Sequence, residues 1–291
     1  HPAIKTLYET LSNRGYHVTF VPVDNDGRLD LDYLYKSLSD DTAIVSLMWA
    51  NNETGVIFPV EEISREVKDR GIIFHTDAVQ AAGKIPIDVS ATGIDMLSLS
   101  GHKFHAPKGI GVLYVRKGTK FSPYMIGGHQ EEGRRGGTEN VASIIALGKA
   151  AQLAKQNLDQ NGYAFVGDLR DKLETTLLGK ITNSMVNGDT ENRLPNTTSI
   201  AFEYVEGEAI LLLMNEHGIC ASSGSACTSG SLEPSHVLRA MGVPFTAAHG
   251  SIRFSLSRYT TEKEIDFVIE KMPPIIERLR ELSPFWKKEF E

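Results

Sequence analysis

The stretch GIIFHTD, residues 71–77, decides the fold, because it is short, apolar and ends on a polar group, as buried strands of a parallel sheet do. It follows the apolar run TAIVSLMW (42–49), which we expect to be a strand buried on both faces, and it precedes the strand-like MLSLS (96–100). A helical repeat of apolar residues lies between the first two, at positions 60–67. This alternation predicts βαβ units around a mainly parallel sheet.

The second half of the chain has a different pattern. A helical repeat rich in alanine and leucine runs from about Glu139 to Gln156. Beyond it, helices mix with shorter strands, and GSIRFSLSRY (250–259) alternates apolar and polar residues as a half-exposed antiparallel strand does. We therefore expect an α/β fold with a large domain at residues 1–156 and a smaller α+β domain at residues 157–291.

Composition excludes several classes of function. The chain has 291 residues, with 30 basic and 37 acidic side chains and a net charge of −7, which argues against nucleic acid or an anionic membrane as the main partner. No apolar run approaches the roughly 18 residues of a membrane span. The nine histidines lack metal-site spacing, so no metal site is expected. Two cysteines cannot form a disulfide framework, which favours a cytoplasmic location.

Polar side chains follow each of the three predicted strands. Asn52 comes after the first, Asp77 and Gln80 after the second, and His102 and Lys103 after the third. Each cluster alone is more typical of a solvated loop, a helix cap or a surface lysine. Ligands of parallel sheets, however, bind outside the carboxyl ends of the strands. A lysine that can form a Schiff base and a carboxylate that can pair with a pyridinium nitrogen together point to pyridoxal 5'-phosphate (PLP).

Other residues are candidates for binding an anion. Ser100 and His102 could donate to a phosphate near Lys103. The glycine-rich segment GGHQEEGRRGGTEN (127–140) places Thr138 just ahead of a helix start, where backbone N–H groups favour anions. Arg253 could be an ordinary exposed arginine or a fork for a substrate carboxylate.

The two cysteines have different surroundings. Cys220 follows apolar residues in EHGIC, so we expect it to close a short buried strand as a small hydrophobe. Cys227 lies among serine and glycine residues with little to anchor it in a core. Its thiol is therefore expected to be exposed, as a nucleophile must be, although a merely tolerated loop cysteine would fit the same pattern.

Three long motifs, in order, resemble the cysteine desulfurases of the class V aminotransferase group. They are HTDAVQAAGK (75–84), SGHKFHAPKGIG (100–111) and SSGSACTSGSLEPSHVLRAMG (222–242), and the last looks most like the NifS type associated with nitrogen fixation. The resemblance covers the whole chain. It implies the PLP-dependent transferase fold of the aspartate aminotransferase type. Members of the group carry a segment upstream of the position of His1, so we expect this chain to be most of a longer enzyme.

The resemblance also implies a role for each matching residue. Catalysis would fall to Lys103, which holds the cofactor as a Schiff base, to Cys227, which attacks the substrate sulfur, and to His1, which stacks on the ring and helps move protons. Asn52 and Arg253 would hold the substrate carboxylate. The remaining cofactor contacts would come from Asp77 at the ring nitrogen, Gln80 at the ring hydroxyl, and Ser100 and His102 at the phosphate, with Thr138 contributing from the second subunit of a homodimer. Asn52 would also contact the cofactor.

The implied reaction converts L-cysteine to L-alanine and passes the sulfur, as a persulfide on Cys227, to an iron–sulfur scaffold protein. Two kinds of alternative stay open at this point. The same fold could serve a selenocysteine lyase or another class V aminotransferase, since fold alone does not determine the reaction. The chain could also be an inactive fragment that only binds a partner.

Overall fold

The computed structural model describes residues 1–223 and 233–286. Within these residues, no helix is long and apolar enough to cross a membrane. In chain order, the helices are α1 (Pro2–Asn13), α2 (Leu31–Ser37), α3 (Val60–Asp69), α4 (Val141–Asp159), α5 (Gly162–Lys180), α6 (Gly207–Glu216), α7 (His236–Ala240), α8 (Phe245–His249) and α9 (Glu262–Leu282). The strands are β1 (Ile44–Met48), β2 (Ile73–Asp77), β3 (Met96–Ser100), β4 (Gly111–Val115), β5 (Ser184–Val186), β6 (Thr197–Phe202), β7 (Ser222–Ser223) and β8 (Ser251–Ser255).

These elements form two compact units. The first, here the sheet unit, comprises Asp40–Ala50 and Phe58–Gly162. The second, here the C-terminal unit, comprises His1–Ser39, Asn51–Ile57 and the chain from Tyr163 onward. The division into domains at 1–156 and 157–291 stays a prediction, since a compact unit need not fold alone. The units differ from it, however, in placing the first 39 residues with the C-terminal half.

The sheet unit is built on β1, β2, β3 and β4, in that order. The first three strands are parallel and β4 is antiparallel to β3, which confirms the mainly parallel sheet of an α/β fold. Helix α3 packs against β1 and β2 through its buried face, which includes Val60, Ile63 and Val67. The expectation that β1 is buried on both faces is wrong. It lies at one end of the strand order, and its residues are exposed or half-buried.

The C-terminal unit contains a second sheet with the strand order β5, β6, β8, β7, and each pair of neighbouring strands in it is antiparallel. Its apolar core is formed by α5, α6 and α9 with strands β6 and β8. Strand β8 is antiparallel as expected, but Ser251 is buried rather than exposed. The reason is the position of β8 between two strands, where the Ser251 hydroxyl donates to the carbonyl oxygen of Ala247 and accepts from Asn187.

The grouping of the N-terminal residues follows from specific bonds. The Arg28 guanidinium lies 2.7 Å from the carboxylate of Asp189, whose side chain is almost wholly buried. Val56 forms an isolated antiparallel bridge with Arg193, and the Gly55 carbonyl oxygen accepts from the N–H of Leu194. These contacts join residues more than a hundred positions apart, so local sequence patterns do not reveal them.

Candidate functional site

Asp77 is the last residue of β2, at the carboxyl end of the parallel strands. Its Cα pairs with Met48 on β1 and with Ser98 on β3. Its Oδ1 accepts a hydrogen bond from the N–H of Val79 at 3.0 Å, so the side chain does cap the turn that follows. A carboxylate anchored by one oxygen in this way keeps its second oxygen for another partner, which suits a role toward a ring nitrogen.

Sequence reasoning missed His75, two residues before Asp77 on β2. Its Nδ1 lies 2.8 Å from the hydroxyl of Ser46, and its Nε2 lies 2.9 Å from the hydroxyl of Ser98. Burial lowers the pKa of His75, although the nearby Asp77 carboxylate opposes this shift. The imidazole is therefore a neutral bridge between three strands. The signal for it was period-two alternation, which puts His75 and Asp77 on one face of the strand.

Lys103 belongs to the one-turn 3-10 helix Gly101–Phe104, directly after β3. The turn is held by Phe104, which is buried, and by Gly101, where a Cβ would lie 2.9 Å from a side-chain carbon of Leu147. Lys103 is half-buried between these anchors, and His102 is exposed. The pKa of His102 is lowered by partial burial and by the Lys103 and Lys108 ammonium groups. A close-packed turn thus carries the candidate Schiff-base lysine.

Gln80 and Ser100 lie in the same unit as Asp77 and Lys103. Gln80 is half-buried in the turn after β2, and its Oε1 accepts from Nζ of Lys84 at 3.2 Å. Ser100 is half-buried at the end of β3. Thr138 is exposed, two residues before Asn140, which is the residue that caps α4.

Asn52 and Arg253 come together in the C-terminal unit. Nη1 of Arg253 donates to the carbonyl oxygen of Asn52 at 2.6 Å, although the two residues are 201 positions apart. Oδ1 of Asn52 and Nε of Arg253 are both buried, and neither has a hydrogen-bond partner among the residues that the structure describes. Buried polar atoms are rarely left in this condition. The arrangement fits a ligand with hydrogen-bonding oxygens, such as a carboxylate.

Glu53, next to Asn52, is a second residue that sequence reasoning passed over as functional. It is buried, and the hydroxyl of Ser235 donates to its Oε2. Burial raises the pKa of Glu53, and the hydrogen bond from Ser235 and the charge of Arg253 only partly oppose this. Ser235 also caps α7, so Glu53 links the Asn52 turn to that helix.

The two remaining catalytic candidates cannot be placed in a site. His1 is exposed, and its Nδ1 caps α1 by accepting from the N–H of Ala3 at 3.2 Å. Cys227 lies outside the described residues. The prediction for Cys220 is wrong, because this thiol is exposed. It follows the end of α6 at Glu216 and precedes the two-residue strand β7, which lies at one end of the second sheet.

The predicted site residues thus divide between the two units. Six of them lie in the sheet unit, and His1, Asn52 and Arg253 lie in the C-terminal unit. The chemistry of the first group fits PLP, because it offers an amine, a carboxylate for a ring nitrogen and polar donors for a phosphate. The six residues are Asp77, Gln80, Ser100, His102, Lys103 and Thr138.

The fold and these residues define a class of enzyme. The family model of class-V aminotransferases matches residues 1–268, and the chain belongs to this family. The enzymes of this family depend on PLP.

Two relatives and two solved structures show which enzymes of this family the chain resembles. The chain is 62% identical over 286 residues to a protein named cysteine desulfurase NifS from Azotobacter vinelandii, covering 98% of this chain and 71% of that protein. It is also 62% identical over 285 residues to a cysteine desulfurase from Nostoc sp., again with 98% and 71% coverage. Among solved structures, a NifS-like protein superposes with a TM-score of 0.88 at 38% identity, over 96% of this chain and 73% of that one. A NifS-like protein from Rickettsia africae gives a TM-score of 0.85 at 34% identity, over 95% and 73%.

Proposed function

We propose that this protein is a PLP-dependent cysteine desulfurase, which converts L-cysteine to L-alanine and retains the sulfur as a persulfide on Cys227. The observation that carries the proposal is the 62% identity, over 98% of the chain, to a cysteine desulfurase. The alternatives of a selenocysteine lyase, another aminotransferase or an inactive binding fragment have no comparable support. They serve below as outcomes of the test.

The cofactor would be held by the sheet unit. Lys103 would bind it covalently, Asp77 would keep its ring nitrogen protonated, and Ser100 and His102 would donate to its phosphate. When bound, PLP supplies an electron sink for negative charge that develops at the substrate Cα. The neutral His75 lies on the same strand face as Asp77 and leaves the negative charge of that carboxylate for the ring nitrogen.

Substrate binding would depend on the C-terminal unit. The guanidinium of Arg253 is fixed by its bond to the Asn52 carbonyl and still has a buried N–H without a partner in the described chain. A carboxylate of L-cysteine would satisfy that donor. The charge-assisted hydrogen bond would orient the Cα–H bond and the thiol of the substrate.

Three groups of this chain would act on the substrate directly. The Lys103 amine, once freed by the incoming substrate, would take the proton from Cα, and a His1 side chain near the ring would help return protons. The Cys227 thiolate would then attack the substrate sulfur, so that the Cβ–S bond breaks and an S–S bond forms. L-Alanine and the Cys227 persulfide account for all atoms and electrons, and no further oxidant is needed.

The exposed apolar surface of the sheet unit supports a homodimer. Tyr124 and Ile126 are 97% and 89% exposed, and Val141 and Ile145 expose more than half of their surface nearby in sequence. Large apolar side chains in such a run are typical of protein interfaces. Thr138 lies in the same exposed stretch, and in such a dimer it would bind the phosphate held by the second subunit.

The persulfide would be delivered to an iron–sulfur scaffold protein, in nitrogenase cluster assembly if the role of the NifS relative extends to this chain. A thiol that carries sulfur requires a reducing compartment, so we place the reaction in the cytoplasm. The scaffold partner would approach the part of the chain that contains Cys227, which falls in sequence within the range of the C-terminal unit.

A pair of cysteine variants tests the proposal. In the PLP-loaded protein, Cys227→Ala is expected to abolish sulfide release from L-cysteine while the yellow absorbance of the cofactor remains. Cys220→Ala is the matched control and is expected to retain full activity, because this exposed thiol has no role in the reaction.

Other outcomes would favour the alternatives. Unchanged turnover in Cys227→Ala would indicate an aminotransferase. A protein that takes up no PLP, and in which Lys103→Ala changes nothing, would indicate a binding fragment.

A further inference from the structure

Lys84 is a buried lysine beside the candidate cofactor site. Only 7% of its surface is exposed, and its Nζ donates to the backbone oxygen of Gln80 at 2.8 Å and to Oε1 of the same residue at 3.2 Å. Lysines are rarely buried to this degree unless their ammonium group is engaged. Lys84 therefore contacts Gln80 twice, once at the main chain and once at the side chain.

The contact with Lys84 determines which atom of the Gln80 side-chain amide, the oxygen or the nitrogen, faces the lysine. A lysine ammonium can only donate, so the atom that faces it must be the carbonyl oxygen of the amide. The Nε2 amino group is then the part of Gln80 that is left for a further partner. Without Lys84, the amide could rotate by half a turn and exchange its oxygen and nitrogen.

The turn that carries both residues is rigid. Its backbone N–H groups at Ala81 and Ala82 donate to the carbonyl oxygen of Ala78, and that of Lys84 donates to Ala81. Ala81 and Ala82 are also buried. The turn thus fixes the backbone positions of Gln80 and Lys84 relative to each other, within reach of the contacts that Nζ of Lys84 makes.

We propose that Lys84 is a positioning residue that holds Oε1 of Gln80, so that Gln80 presents its amino group to the ring oxygen of PLP. The inference rests on the proposed function and on the expectation from the sequence that Gln80 contacts the oxygen of the ring hydroxyl. The ring oxygen is an anion in the enzyme-bound cofactor and needs a donor. An amide turned the other way would place two acceptors against each other, which costs the hydrogen bond and adds repulsion.

The test is a pH titration of the visible absorbance of the PLP-loaded protein, together with PLP uptake by the apoprotein. A ring oxygen that receives a donor holds the neighbouring Schiff-base proton less tightly. Lys84→Met is therefore expected to move the titration midpoint to higher pH and to raise the PLP dissociation constant about two- to tenfold. Lys84→Arg, which keeps a cationic donor, is expected to restore both values. Lys68→Met on the exposed face of α3 is the control and should leave both unchanged.

A double-mutant cycle separates positioning from a general effect of charge. In a Gln80→Ala background, Lys84→Met is expected to cause no further shift of the midpoint. A shift of the same size with and without Gln80 would overturn the proposal, since Lys84 would then act by its charge alone. So would a midpoint that Lys84→Met leaves at the wild-type value. If Lys84→Met does not fold, Lys84→Leu, which also lacks a donor, takes its place with the same expectations.

The readout does not depend on desulfurase activity. A wild-type protein that binds PLP but releases no sulfide would refute the proposed function and leave the role of Lys84 to be decided by the titration. A wild-type protein that binds no PLP would overturn both.

Discussion

Replacing Gly83 by alanine tests whether close packing beside Lys103 holds the candidate cofactor site in place. Gly83 has a φ of +72°, in the left-handed region. A Cβ added there would lie 2.9 Å from Cβ of Ala154 on α4 and 3.4 Å from Cβ of Phe104. The contact with Ala154 is too short, so either α4 or the turn of Gly83 must move, and Phe104, which is buried and directly follows Lys103, borders the same space.

The expected cost has two parts. An L-residue in the left-handed region costs roughly 1–2 kcal/mol. Overpacking a filled core typically costs about 1–3 kcal/mol more. Gly71→Ala provides a matched control, since Gly71 has a φ of +75° in the same unit and its added Cβ meets nothing within 4 Å. The difference between the two variants therefore isolates the packing contribution at Ala154 and Phe104, about 1–3 kcal/mol.

Two measurements check this reasoning, urea unfolding and PLP uptake by the apoprotein. Gly83→Ala is expected to unfold at a lower urea concentration than Gly71→Ala and to bind PLP more weakly, whereas Gly71→Ala should bind PLP as the wild type does. Equal destabilisation of the two variants would refute the packing argument. A larger loss of stability with unchanged PLP binding would refute the link from Phe104 to Lys103.

Three further outcomes are expected. Arg253→Ala should raise the KM for L-cysteine roughly 10- to 100-fold and affect kcat less, because the lost hydrogen bonds are to a charged group. Steady-state measurements of sulfide release test this, and a change confined to kcat would contradict it. Glu174→Ala should lower the free energy of unfolding by about 3–5 kcal/mol in urea titrations, because it leaves the buried Arg193 guanidinium with only the more distant carboxylate of Asp171, and a loss below about 1 kcal/mol would count against this pair. Burial lowers the pKa of His75, so between that pKa and about 6.5 the unfolded state binds more protons and stability falls with falling pH. His75→Gln should flatten that part of the stability profile, and an unaltered slope would argue against a neutral buried imidazole.

The parallel part of the fold could be predicted because its signals are local. Each parallel strand of the sheet unit is a run of five residues with a polar residue at its end or within three residues after it, and the helix between β1 and β2 has its own apolar repeat. Asp77 and Lys103 could be found for the same reason, since Asp77 ends β2 and Lys103 lies three residues beyond the end of β3. What a short run does not reveal is its place in the strand order, and this is why β1 was expected to be more buried than it is.

Residues whose structural contacts are far away in the sequence were harder to predict. His75 was not singled out, because its partners Ser46 and Ser98 lie 29 and 23 positions away and meet it only in the correct strand register. The apolar residues before Cys220 predicted that it ends a buried strand, but the thiol is exposed. Its burial depends on which residues pack around β7, and the sequence before it does not reveal them. A sequence pattern describes the residue itself, whereas burial is a property of its neighbours.

The position of Asn52 depends both on a local sequence signal and on contacts with distant residues. It follows β1, so the rule that ligands bind at strand ends would group it with Asp77 and Lys103. Residues Asn51–Ile57, however, belong to the C-terminal unit, where Val56 pairs with Arg193 and the Asn52 carbonyl accepts from Arg253. The position of Asn52 is therefore determined by the half of the chain that carries Arg253, the proposed ligand of the substrate carboxylate. Any change that disturbs the second sheet should accordingly weaken substrate binding before it weakens cofactor binding, whose residues belong to the other unit.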